Sequence, residues 1–265
     1  NSATVRADFA PTEAWQLDAR AFRAEGHNEY DGDYADNSDI VQQVVGGSVR
    51  WTPSEAVALK LTAGRNTDDS DNYIGSTLAN RYTTTRDSAS LQGDFTVATG
   101  QVLTAGFDWL RDRANVVDPW SPFARERGNR ALFAQYQGRF GAHDLQLSAR
   151  RDDNDQFGGH TTGGIAWGMG FGQGWRVTAS HATAFKAPSF NELYYPGFSN
   201  PLLKPESSRS SEVSLARSGG GWHDQAKTKT SRTKMNHVGR WVGRSGDWKK
   251  TLPCKGHAMI TKYAG

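Results

Sequence analysis

Hydrophobic and polar residues alternate one by one along most of this chain. Trp15, Leu17, Ala19 and Ala21 are interleaved with Gln16, Asp18 and Arg20, and Val57, Leu59, Leu61 and Ala63 with Ala58, Lys60, Thr62 and Gly64. The same period runs through Leu103, Ala105, Phe107 and Trp109, through Leu132, Ala134 and Tyr136, and through Leu145, Leu147 and Ala149. It returns in Ile165, Trp167 and Met169 and in Trp175, Val177 and Ala179. Successive side chains of a strand point to opposite faces, so each run predicts a strand with one apolar and one polar face. A helix would need apolar spacings of three and four, which these runs lack.

The connections add a second pattern. Short ones fall near 10–13, 52–55, 98–101, 140–143 and 170–174, and long ones near 25–38, 66–80, 113–128, 153–160 and 186–205. The two kinds alternate, which predicts an all-β, antiparallel up-and-down meander with tight turns on one rim and long loops on the other. A soluble sandwich has Greek-key crossings and no reason for that alternation. Outer-membrane barrels do have it, with apolar residues outward, polar residues inward, and crossings of roughly 9–11 residues. The chain then holds about eleven strands, part of a transmembrane β-barrel. Trp15, Trp51, Trp109, Tyr136, Trp167 and Trp175 stand near strand ends, where aromatic girdles belong. A large soluble meander is the competing reading; a propeller is disfavoured because no fixed repeat is visible.

Composition agrees with a wall that is wet on one side. The 265 residues are 36% hydrophobic and 22% charged, with 29 glycines and nine tryptophans, and mean hydropathy is −0.68. No apolar run approaches the roughly 20 residues of a membrane helix. The one cysteine, Cys254, excludes a disulfide within the chain. Seven histidines show no HExxH spacing, and no GxSxG elbow, P-loop or dinucleotide fingerprint occurs, so nothing argues for an enzyme. Asp152, Asp153 and Asp155 read as turn formers in a hairpin loop.

Charge divides the chain. Residues 218–265 carry seven lysines and three arginines against Asp224 and Asp247, a net of 10 − 2 = +8. The remainder carries 21 cations against 26 acids, or −5. The segment 218–265 is therefore expected to be an irregular basic tail, disordered or arising from a frameshift or fusion near 217–221, beside a barrel segment at 1–217. A nucleic-acid arm is the other reading of such a tail, but no nucleic-acid partner is expected here.

The stretch from Ala182 to Leu215 reads ATAFKAPSFNELYYPGFSNPLLKPESSRSSEVSL. It resembles the signature of TonB-dependent outer-membrane receptors, in which a strand ending in FKAPS is followed by an ELY element and a long Asn-Pro-x-Leu-x-Pro-Glu loop. The matching residues are Phe185, Lys186, Ala187, Pro188, Glu192, Leu193, Tyr194, Asn200, Pro201, Leu203, Pro205, Glu206, Ser208 and Glu212. Segments 103–112, 127–138 and 148–168 are similar to the cobalamin receptors of that family. The resemblance implies a Gram-negative outer-membrane location and uptake of a scarce ligand, cobalamin first. A siderophore receptor of the same family and a passive porin-like channel are the alternatives. It further implies coupling to TonB through an N-terminal plug region that this sequence does not contain, in a barrel of which the present strands make about half. Bottom-up, the signature reads as scaffolding. Pro188, Pro196, Pro201 and Pro205 fix backbone angles in a long loop, and Glu206 and Glu212 are candidates to pair with Arg209 on the luminal face.

The loop 25–38 is acidic. Carboxylates at alternate positions suit a hard cation, and the resemblance implies calcium in the extracellular loops, with Asp31, Asp33 and Asp36 as hypothetical ligands. The D-x-D-x-x-D spacing does not match an EF-hand, and a hydrated acidic loop is the competing reading.

Overall fold

The computed structural model describes residues 1–195, 199–219, 222–234 and 249–250. Period-two alternation is realised as one antiparallel sheet, each strand paired with the next in sequence. In order the strands are β1 (Ser2–Thr12), β2 (Trp15–Glu29), β3 (Asn37–Ser54), β4 (Val57–Ile74), β5 (Thr77–Ala98), β6 (Gln101–Val117), β7 (Phe123–Phe140), β8 (His143–Asn154), β9 (Gly158–Phe171) and β10 (Trp175–Lys186). A short helix α1 (Phe190–Tyr194) precedes β11 (Glu206–Gly219), β12 (Trp222–Lys234) and β13 (Lys249–Lys250). Eleven strands thus span residues 2–219, as the alternation predicts.

Two expectations need correction. The long gaps are mostly strand, because β4 runs to Ile74 and β5 starts at Thr77, leaving Gly75 and Ser76 as the turn where 66–80 was expected to be a loop. Polar residues such as Asp68, Asp69 and Asp71 break the apolar pattern there, yet they pair in full register with Thr84, Thr83 and Arg81. The strands run on past the lipid layer and carry charge because they stand in water. Backbone pairing also does not stop at 217. β12 pairs with β11 from Gly219↔Trp222 to Ser207↔Lys234. Its sequence alternates lysine with threonine and has no apolar face to reveal it. The rest of 218–265, apart from β13, lies outside the described residues.

Direct cross-strand partners share a face, so register sorts the side chains. Phe9, Leu17, Val49, Leu61, Leu91, Phe107 and Leu132 form one continuous row on the outward face. Tyr136, Leu147 and Ile165 continue it lower on the wall. Leu91 and Leu132 are 52% and 64% exposed, while the buried hydrophobic residues are only Ala114, Val116, Ala131, Leu193 and Leu203 among the described residues. A soluble domain of this length would hide its large aliphatic side chains; here they await lipid.

The apolar band has a measurable height. On the outward face it runs Val57–Ala63 in β4 and Ala89–Val97 in β5, ending at Arg65 and Asp87. Seven to nine residues cover about 23–30 Å along a strand. A tilt of roughly 35–45° reduces that to about 16–25 Å, which reaches the ~25 Å apolar belt of outer-membrane barrels. Its turn-side edge is aromatic: Trp15 stacks on Trp51 at 5.6 Å and Phe171 on Trp175 at 6.5 Å. At that rim Gly141 (φ 60°) supplies the left-handed backbone of a two-residue turn.

Candidate functional site

The inward face is polar and cross-linked. Arg150 donates from Nη1 to Asp108 (2.5 Å) and from Nε to Asp152 (3.0 Å), while Ser90 donates to Asp108 and Asn129 to Asp152. Asp152 and Asn154 are buried within this network. Asp152 and Asp153 therefore belong to β8 rather than to a hairpin loop. Only Asp155 acts at a turn, accepting from the Gly128 N–H. A buried carboxylate is tolerated because each oxygen has a donor.

Above this network the described residues after β10, 187–195 and 199–205, lie over the inward face of the wall. Ser189 caps α1: its Oγ accepts from the Glu192 N–H (3.2 Å), and Glu192 Oε2 accepts from the Ser189 N–H (2.6 Å), a reciprocal capping box. Foremost that backbone N–H, then the Ser189 hydroxyl and Lys186, hold the Glu192 carboxyl below the usual range. Leu193 is buried, at 1% exposure.

Aromatic and cationic side chains of the wall receive the helix. Arg127 of β7 donates to the Pro188 carbonyl (2.7 Å) and lies 4.9 Å over the Phe190 ring and 5.8 Å over that of Phe157. Arg125 covers Tyr194 at 5.0 Å, and Gln156 donates to the Tyr194 hydroxyl (2.9 Å). Tyr82 stacks on Tyr195 at 6.0 Å.

The structure gathers most of the signature residues. Lys186, Ala187, Pro188, Glu192, Leu203 and Glu206 surround one crevice of about 10 Å³, too small for a ligand. Phe185 stacks on His160 at 4.2 Å. Asn200 donates its N–H to the Glu192 carbonyl, and its side chain accepts from Leu202, so the Asn-Pro turn is tied back to α1. Pro201 is exposed beside it, Pro205 leads into β11, and Tyr194 carries the ring contacts described above. Pro196 lies outside the described residues. Ser208 and Glu212 fall within β11, opposite Ala184 and Ser180. The expected pairing of Glu206 and Glu212 with Arg209 fails on parity, since odd and even positions of β11 face opposite sides.

The three hypothetical calcium ligands are not brought together. Both Asp36 oxygens accept from the Gly75 N–H at 2.9 Å, and Asn37 donates to the Gly75 carbonyl, which staples two hairpin tips. Among the described residues no three His, Cys, Asp or Glu side chains gather to hold a metal. The donor set as placed does not fit calcium.

Sequence reasoning missed Tyr82, Arg125, Arg127, Gln156 and Phe157, which receive the loop. They lie 30 to more than 100 residues from it along the chain, and only register shows that they share its face.

A family model described as TonB dependent receptor-like, beta-barrel matches residues 1–229. The chain is 28% identical over 244 residues to the vitamin B12 transporter BtuB of Photobacterium profundum, covering 88% of this chain and 39% of that protein. The siderophore receptor PirA from Pseudomonas aeruginosa superposes with a TM-score of 0.76 at 16% identity, over 95% of this chain and 51% of that one. A variant of the ferric enterobactin receptor PfeA from the same organism gives 0.75 at 16% identity, over 95% and 47%. The chain thus spans about two fifths of the curated relative and half of the solved receptors.

Proposed function

This chain belongs to the TonB-dependent receptor family of Gram-negative outer-membrane β-barrels, and from that premise we propose that it forms part of the wall of a receptor for energy-coupled uptake of cobalamin. The observation that carries the reading is a greasy outward face backed by a polar inward face, with α1 held against the inward face by Arg125, Arg127 and Gln156 rather than out in solvent. A receptor needs side chains presented to an arriving ligand, and the aromatic and cationic groups around α1 supply them on the inward face. Cobalamin is assigned from the likeness to a vitamin B12 transporter; the siderophore receptors, at 16% identity, support the wall architecture alone.

In this reading the wall is the stationary part. Ladders between every pair of neighbouring strands from β2 to β11 hold it rigid, and the register shifts fall near hairpin ends. Ligand enters along the inward face past Tyr194, Tyr195 and Arg125. Work supplied through TonB then acts on a plug in the lumen rather than on the wall.

Outer membranes carrying the protein, titrated with radiolabelled cyanocobalamin and separately with ferric siderophores, test the assignment. Saturable cobalamin binding, with uptake lost in a host lacking TonB, is expected. Saturable siderophore binding with none of cobalamin overturns the ligand, and uptake independent of TonB overturns the coupling.

A further inference from the structure

One row of inward side chains crosses four adjacent strands level with α1. Asn66, Arg86, Asp112 and Arg127 are successive cross-strand partners on β4, β5, β6 and β7. Between this row and α1 lies a cavity of about 300 Å³, lined also by Thr84 and Asn191. Its charges do not balance. Arg86 occupies both Asp112 oxygens, donating from Nε at 2.6 Å and from Nη2 at 3.1 Å. Arg127 has no acidic partner within ion-pair distance among the described residues, and its one acceptor is the Pro188 carbonyl. A half-buried guanidinium held by a carbonyl and two ring faces retains an uncompensated positive charge, which is costly away from water.

The row therefore has a net charge of +1 and a surplus of donors. Arg127 Nε and Nη2 and Arg86 Nη1 have no protein acceptor among the described residues, and the amides of Asn66 and Asn191 and the Thr84 hydroxyl border the same space. Guanidinium forks match oxyanions in geometry as well as charge. The donors outnumber the two oxygens of a carboxylate and suit a tetrahedral phosphoryl group. A space of this size takes a substituent of a large ligand, not the whole of one.

We propose that this cavity is a seat for a phosphate-ester group of the ligand that enters the lumen, with Arg127 and Arg86 as its cationic walls. The proposal rests on the reading of this face as the ligand path, and cobalamin carries a phosphodiester of the required kind.

The test follows hydrogen exchange at the Leu193 and Tyr195 amides in the receptor held in outer-membrane vesicles. The probes are dimethyl phosphate and inorganic phosphate, with chloride at matched ionic strength as control. Both phosphates should slow exchange at least threefold, and chloride should not. Arg127→Gln should abolish the effect. Because that change also loosens the loop, Arg86→Gln is the second variant. It leaves the bond between Arg127 and Pro188 in place but frees Asp112 to neutralise Arg127, and it should abolish phosphate protection too. Arg130→Gln, on the outward face, should keep it. Equal protection by chloride, or full protection in Arg86→Gln, overturns the seat. Cyanocobalamin binding is measured separately: if it is absent while phosphate protection persists, the ligand assignment falls and the seat stands.

Discussion

Replacing Leu193 by alanine should release the loop from the wall without unfolding the sheet. Helix α1 has five residues, far below the roughly 12–15 an isolated helix needs for even marginal stability. It exists because one leucine is almost wholly removed from solvent and one capping box closes its first turn. Truncating a buried leucine costs about 2–5 kcal/mol, and a loop that can settle over the gap belongs in the lower part of that range. A loss of about 2–4 kcal/mol raises the open population about 30- to 700-fold, at 1.4 kcal/mol per decade. Hydrogen exchange reads this directly. The Leu193, Tyr195, Asn200 and Leu203 amides donate to Ser189, Asn191, Glu192 and Asn200 carbonyls within the loop, and all four should exchange faster by that factor. Val177 and Ala179, in the ladders of β10 with β9 and β11, should not change. Unaltered exchange in the loop would refute the claim that Leu193 anchors it. Equal acceleration in β10 would show that the loop and wall do not open separately.

Other expectations concern the two faces and the cap. Leu147→Arg places a cation in the apolar band and should cost about 2–4 kcal/mol in denaturant titration of the bilayer-inserted protein, whereas Gln146→Arg, one residue away on the inward face, should cost far less; equal losses would contradict the assignment of faces. Arg150→Met leaves buried Asp152 without its cation and should destabilise by about 3 kcal/mol in the same titration, and no loss would show that Asn129 alone satisfies the carboxylate. Glu192 titrates below its ordinary value, so its contribution is present above the ordinary carboxyl range near ~4.3 and is lost as pH falls through the depressed value. Loop amides should therefore lose protection, after correction for intrinsic exchange, at the acid end. Glu192→Gln keeps a side chain able to close the capping box and should remove that pH dependence; an unchanged acid transition would point to another group.

Much of this architecture was legible because a sheet with lipid on one side and water on the other imposes a period of two. The run Leu103, Ala105, Phe107 and Trp109 predicts both a strand and its outward face, and β6 has both. Strand ends were less legible. Asp68 to Asp71 look like loop residues because polarity and loop character usually coincide, but above the bilayer a strand can be polar on both faces. β12 escaped notice for the same reason. The signature from Phe185 to Glu206 marked a long loop but not its inward direction, and the wall residues that receive it did not stand out. Arg127 is one of 21 arginines, and its role depends on a register that places it beside α1 from 61 residues away. Arg209 shows the converse: closeness in sequence to Glu206 and Glu212 suggested a pair that strand parity forbids.

The central claim, that the odd positions of β6 face lipid and the even ones a wet lumen, has a direct test in site-directed spin labelling. With Cys254 replaced by serine, single cysteines at Leu103, Thr104, Ala105, Gly106, Phe107 and Asp108 carry the nitroxide in the protein inserted in a bilayer. Collisional relaxation by dissolved oxygen should peak at 103, 105 and 107, and relaxation by a water-soluble nickel chelate at 104, 106 and 108. Low accessibility to both reagents at 103, 105 and 107 would place Phe107 and its neighbours in a dry protein core and contradict the account.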